Sequence, residues 1–144
     1  MGSPRIWYKE IVIKTPKNMV GFHTNIDEAT LNNKNFRKVL YTGEHAQLVL
    51  MSLLPNEKID MEVHPDNDQF FRFEAGEGKA TLNGEVTHFK ADDVLIVPAG
   101  TMHEIENTSS TEYLKLYTIY SPSHHPAGTI HATKADAEAA EKAE

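Results

Sequence analysis

The chain has no cysteine in its 144 residues. Disulfides and thiolate metal sites are therefore excluded, and any metal must be held by imidazole and oxygen ligands. Cations are also scarce: 14 Lys and Arg stand against 21 Asp and Glu, a formal charge of -7. A surface short of cations is poorly suited to neutralising nucleic-acid phosphates or to holding an anionic bilayer. Neither nucleic acid nor membrane is an expected partner. Long apolar runs are missing too. The run "LVLM" at Leu48–Met51 is far below the roughly 18 residues of a spanning helix. The opening "MGSPRIWYKE" has no apolar core of the kind a secretory leader carries, so a cytoplasmic location is the expectation. Helix-period segments of useful length are absent from Ala46 to Tyr120, which argues against a βαβ fold.

What is present reads as strands. Short apolar or alternating runs are punctuated by turn signals: "HAQLVLMSLL" before "PNEK", "QFFRF" before "EAGEG", "KATL" before "NG", "EVTHF" before "KADD", "VLIV" before "PAG", and "YLKLYTIY" before "SPSHHP". That rhythm suits an all-β sandwich or barrel. Asn83-Gly84 between two alternating runs predicts a type I′ hairpin, whose central residues both take positive φ. Residues around Asp27 to Asn35 are polar and hold a helical turn. Near the C-terminus, Thr133 and Asp136 form a capping-box pattern, predicting a short helix from about Lys134 to Lys142. It has no apolar stripe, so a frayed or surface helix is expected. Residues 1–17 form an extension that either adds a strand through "IWYKEIVI", to this chain or to a partner, or wanders. Residues 18–122 form the single domain and 123–144 its tail.

The chemistry concentrates in "EVHPDNDQF", Glu62 to Phe70. On a strand, residues two apart share a face, so Glu62 and His64 present two ligands roughly 7 Å apart at the backbone. Pro65 ends the strand and "PDND" turns the chain; Asp66 and Asp68 read as turn residues. Gln69 then leads a face that continues through Phe71 and Phe73, an odd place for an amide unless it has a polar target. A further ligand comes from "VPAGTMHEIEN", where Pro98 and Gly100 make a tight turn and His103 opens a strand on the face of Ile105 and Asn107. Taken singly, Glu62 is a surface acid and each histidine a hydrogen-bonded rim residue. Their combination and order carry the argument.

Those two stretches resemble the paired motifs of the cupin superfamily. The first runs Gly-x5-His-x-His-x(3,4)-Glu-x6-Gly, and Asn56, Glu62, His64, Gln69 and Gly76 stand at its positions. The second runs Gly-x5-Pro-x-Gly-x2-His-x3-Asn, and Asp92, Pro98, Gly100, His103 and Asn107 stand there. The departures are chemical rather than spatial. Two motif glycines are Asn56 and Asp92, residues that tolerate turn geometry. The first ligand histidine is Glu62, and the ligand glutamate is Gln69, so one carboxylate is kept but moved.

The resemblance implies a double-stranded β-helix, or jelly-roll, cupin barrel with a short C-terminal helix. It also implies one divalent transition metal, Mn, Fe, Ni, Co or Zn, held by Glu62, His64, Gln69 and His103. A neutral amide is a weak ligand, so Gln69 either sits at longer range or bonds a bound water. The expected function is a metal-dependent isomerase or lyase acting on a small polar molecule such as a sugar or sugar acid. Two alternatives stand beside it: a non-haem Fe(II) dioxygenase, which a two-His, one-carboxylate set suits, and a non-catalytic small-molecule-binding module. Acid-base candidates are Tyr117, Tyr120, His124 and His125, and Phe71 is a candidate substrate contact. Strand parity offers two inward sets on the last strand, Lys115-Tyr117-Ile119 and Leu116-Thr118-Tyr120, without choosing between them. A homodimer is expected, because pairing covers exposed sheet edges.

Overall fold

The computed structural model describes residues 20–143. The "IWYKEIVI" segment lies outside the described residues. A helix, α1 (Ile26–Asn32), leads into strands β1 (Arg37–Thr42), β2 (Gln47–Leu53), β3 (Lys58–Glu62), β4 (Asp68–Ala75) and β5 (Glu77–Leu82). Strands β6 (Glu85–Lys90), β7 (Val94–Val97), β8 (His103–Asn107), β9 (Leu114–Ser121) and β10 (Ile130–His131) follow, and α2 (Lys134–Ala143) closes the order. Six strands form one sheet, in the order β10-β1-β2-β9-β4-β7, and four form the other, β3-β8-β5-β6. The pairings are antiparallel. The result is an all-β jelly roll with a short C-terminal helix, as the motifs imply.

The core forms where the two inner faces meet. Val49, Met51, Leu53, Phe71, Phe73, Leu114 and Leu116 enter it from the larger sheet, and Ile59, Ala80, Phe89 and Ile105 from the smaller. Each such side chain contributes on the order of 1.5–3 kcal/mol when fully buried. Phe73 and Phe89 stack across the interior with centroids 3.6 Å apart. Gly78 is bare because a Cβ there would meet the Glu106 carbonyl and, at 2.6 Å, the Phe89 ring.

Strand β9 settles the parity question. Leu114, Leu116, Thr118 and Tyr120 are buried, while Lys115, Tyr117 and Ile119 are only half-buried. The inward set is therefore Leu116-Thr118-Tyr120. The outer face lies against α1, which contacts β9, β4 and β2.

Local chemistry explains the turns. Asn83 (φ 47°) and Gly84 (φ 86°) both take positive φ, as an Asn-Gly hairpin requires. Asn56 (φ 65°) and Asp92 (φ 77°) are also left-handed. These are the two motif positions at which glycine is replaced, so the backbone need has persisted while the side chain changed. The capping box forms: Asp136 N–H donates to Thr133 Oγ1 (3.1 Å), and Thr133 N–H donates to Asp136 Oδ2 (3.3 Å). Helix α2 is less detached than its composition suggests. Ala137 is buried in the core cluster, and Lys134 pairs with Asp60 of β3 at 3.0 Å.

Two features were hidden in the sequence. Strand β1, "RKVLYT", opens on two charged residues and so lacks the apolar signature of its neighbours. Strand β3 stops at Glu62, so His64 lies beyond the strand rather than on it. The β3–β8 register shifts between Ile59 and Glu62.

Candidate metal centre

Glu62 and His103 are Cα partners across the β3–β8 ladder. His64 reaches the same point from the loop after β3. Its Nε2 lies 3.1 Å from Glu62 Oε1, and His103 Nε2 lies 3.6 Å from the same oxygen. One ligand atom from each residue falls within 4.8 Å of the others. His64 and His103 are buried, and Glu62 is half-buried.

The loops that hold this geometry are tied to one another. Gly100 N–H donates to the His64 carbonyl (3.0 Å), and Ala99 N–H donates to Asp68 Oδ1 (2.9 Å). The "PDND" turn and the "PAG" turn therefore fasten the two motifs together. Asn83 anchors the start of β8 from the other side. Its N–H donates to the Met102 carbonyl (2.8 Å) and its Oδ1 accepts from Met102 N–H (3.0 Å). Asn107 is structural: its Nδ2 donates to the carbonyls of Leu54 (3.0 Å) and Glu112 (2.9 Å).

Protonation follows from these partners. The Thr101 carbonyl lies 3.0 Å from His103 Nδ1 and can only accept, so Nδ1 carries the proton. In the neutral imidazole the Nε2 lone pair then faces the cluster, which is the ligating tautomer. Burial disfavours charge on His103, but the Glu62 and Thr101 contacts outweigh it and raise its pKa. For Glu62, burial pushes upward. Hydrogen bonds to His103 and His64, and then their charges, overcome that and hold the carboxyl well below the usual range. The carboxylate is thus ionised and opposed by two imidazole nitrogens.

Gln69 adds a second sign of an oxygen-rich centre. It is 2% exposed, and its Nε2 donates to Thr118 Oγ1 (3.0 Å). Among the described residues its Oε1 is buried without a hydrogen-bond partner, and His103 Nε2 is buried with only the 3.6 Å approach to Glu62. Buried polar atoms left unpaired are costly. A cation among Glu62, His64 and His103 fits the donor set, since it would satisfy the His103 lone pair and neutralise the carboxylate.

Aromatic rings line one side. Tyr120 faces His64 edge-on (5.5 Å between centroids), and His124 stacks on Tyr120 (5.2 Å) while meeting His64 edge-on (4.3 Å). His125 Nε2 lies 3.2 Å from the Tyr120 hydroxyl. Burial, then the Glu62 charge, raises the Tyr120 pKa, so the phenol stays protonated. Burial, then Arg37 and His124, lowers His125 to about 3, so it is neutral at physiological pH. The "SPSHHP" segment is held by two residues without an evident role in the sequence. Gln47 accepts from the His124 and His125 N–H groups (3.0 and 2.9 Å) and donates to the His125 carbonyl (2.7 Å). Asn67 donates to the Pro122 carbonyl (2.6 Å). Gln47 alternates with apolar Val49, the only local hint of its inward face.

Two sequence candidates lie elsewhere. Tyr117 is on the outer face of β9, its ring 6.1 Å from that of Phe70. Strand parity turns it away from the cluster. Phe71 is fully buried in the core, stacked toward Phe73 and edge-on to His103 at 6.3 Å. It packs in the core beside His103.

Fold and cluster together define a class: small jelly-roll barrels carrying a ligand set suited to one cation. The model of the cupin domain family matches residues 49–120. The chain is 48% identical over 126 residues to the uncharacterized protein YrkC of Bacillus subtilis (strain 168), covering 83% of this chain and 67% of that protein. It is 50% identical over 109 residues to the uncharacterized protein L612 of Acanthamoeba polyphaga mimivirus, covering 74% and 68%. The crystal structure of BH2720 from Bacillus halodurans superposes with a TM-score of 0.82 at 41% identity, covering 85% of this chain and 96% of that one. The chain belongs to the cupin family.

Proposed function

We propose that this cupin is a metal-dependent enzyme acting on a small polar molecule, a sugar or sugar acid, by isomerase or lyase chemistry. The observation that carries the reading is the convergence of Glu62, His64 and His103 within 4.8 Å, with His103 Nε2 buried 3.6 Å from the Glu62 carboxylate and making no hydrogen bond among the described residues. A cavity of about 650 Å³ lies beside it, lined in part by His124 and His125, which is within the usual size of a small-molecule site. The metal, when bound, supplies Lewis-acid polarisation of a substrate oxygen. The chain supplies the rest. Tyr120 offers a protonated hydroxyl, and neutral His125 beside it is able to take or return a proton. Gln69 orients the polar floor, either as a distant ligand or through a water.

The test is metal analysis of protein purified without an affinity metal, alongside Glu62→Ala and His103→Ala. About one equivalent of a transition metal in the parent, lost in both variants, supports the site. No uptake of Mn, Fe, Co, Ni or Zn by the parent sinks it. A second reading is favoured by the two-His, one-carboxylate composition, which suits Fe(II) with open positions. Iron as the occupant, with oxygen uptake on a substrate, selects the dioxygenase. Metal binding with no turnover across both classes of assay selects a non-catalytic ligand-binding module.

A further inference from the structure

Arg37 opens β1 and shares its inward face with Val39. Its side chain is 4% exposed. Its Cα partner across the sheet is His131, and Arg37 Nη1 lies 3.3 Å from His131 Nδ1. No Asp or Glu among the described residues forms an ion pair with the guanidinium. Its Nε is buried with no hydrogen-bond partner. A buried cation without a counter-ion is unfavourable unless something pairs with it. The 650 Å³ cavity opens onto this group and is lined also by Ser123, His124, His125 and Thr129. A smaller cleft of about 130 Å³ runs between Arg37 and Glu62. Arg37 thus lines both the cavity and a cleft that reaches Glu62.

We propose that Arg37 binds the carboxylate of a small-molecule substrate in this cavity, and that the substrate's polar end reaches the Glu62–His64–His103 cluster. Assigning that carboxylate to a substrate rests on the metal-enzyme reading above. It narrows the substrate class from sugars in general to acids. The planar guanidinium fork matches two coplanar oxygens. Charge selects a carboxylate over a phosphate. Arg37 is the one fixed cation of this lining, and Glu141 adds an anion to it. Arg37 matches one negative charge and Glu141 opposes any excess, so a phosphate dianion is the poorer fit.

The test uses the native chain, first stripped with a chelator so that no metal competes for the probe. Propionate, its neutral isostere propionamide, and inorganic phosphate are titrated while the ¹⁵N signal of the Arg37 side chain is followed, assigned by its loss in Arg37→Gln. Propionate should shift that signal and bind roughly tenfold or more tightly than propionamide, as a charge-assisted bond implies. In Arg37→Gln the acid and amide should bind alike. Equal binding of acid and amide in the native chain overturns the proposal, as does an acid preference that survives Arg37→Gln. Phosphate binding tighter than propionate overturns the carboxylate assignment. Should Arg37→Gln fail to fold, the acid-amide comparison in the native chain decides alone. Metal uptake is measured separately on the same protein. Anion binding without metal uptake sinks the enzyme reading and leaves the subsite. Metal uptake without anion binding sinks only the subsite.

Discussion

Gln47→Leu should loosen the wall of the site without touching a metal ligand. Gln47 is fully buried. Its oxygen accepts from two backbone N–H groups, of His124 and His125, and its nitrogen donates to the His125 carbonyl and to Thr42 Oγ1. Leucine keeps much of the volume and removes all four bonds. Three backbone groups of the "HH" segment then lose their partner. Each costs about 1–3 kcal/mol if it stays buried, so a rigid segment would lose about 3–9 kcal/mol. His124 is exposed and His125 half-buried, so water reaches part of the freed backbone and the low end applies. We expect a loss of about 3 kcal/mol, which for a chain of this size lowers Tm by about 10 °C. The assay is thermal unfolding by circular dichroism, with amide hydrogen exchange of His124 and His125 read in parallel. Their protection should collapse while that of β2 and β9 persists. A Tm change under about 2 °C with both amides still protected would refute the reasoning, because the clamp would then be doing nothing.

Other outcomes follow from separate parts of the structure. Gly78→Ala drives a methyl into the Glu106 carbonyl and the Phe89 ring, so it should destabilise by about 3 kcal/mol; a neutral effect in denaturant titration would contradict the packing described. Burial, then the Asp27 hydrogen bond, raises Glu74 to about 7, against the pull of Arg72. A raised carboxyl pKa means that the folded state holds the proton more tightly, so stability is full below about pH 4.5 and declines as pH rises toward about 7. Glu74→Gln should flatten that slope, and unchanged pH dependence of Tm would reject the assignment. We also propose a homodimer: gel filtration at micromolar concentration should give twice the chain mass, and a clean monomer rules it out.

Alternating runs and Asn-Gly, Pro-x-Gly and Asp-Asp punctuation specify an all-β sandwich or barrel, because side-chain period and turn φ are local properties; the jelly roll itself was implied by the resemblance of the two motifs to the cupin family. The resemblance of the two motifs to the cupin pattern grouped Glu62, His64 and His103; that they meet depends on the long-range pairing of β3 with β8. Asn56 and Asp92 hold positive φ at the two motif positions of glycine, which the resemblance located and turn chemistry allows. The tertiary structure decided the rest. Alternation says which residues of β9 share a face but not which face is inside; the opposing sheet and α1 chose Tyr120 over Tyr117. Phe71 was a candidate substrate contact on the face of Gln69, and packing set it in the core beside His103. Arg37 carries no local signature and Gln47 only its alternation with Val49, because a polar residue at a strand end looks exposed until its neighbours bury it. Their roles depend on contacts between β1 and β10 and between β2 and the "SPSHHP" segment. Those contacts join positions 78 to 94 residues apart, a separation over which no periodicity in the chain carries information.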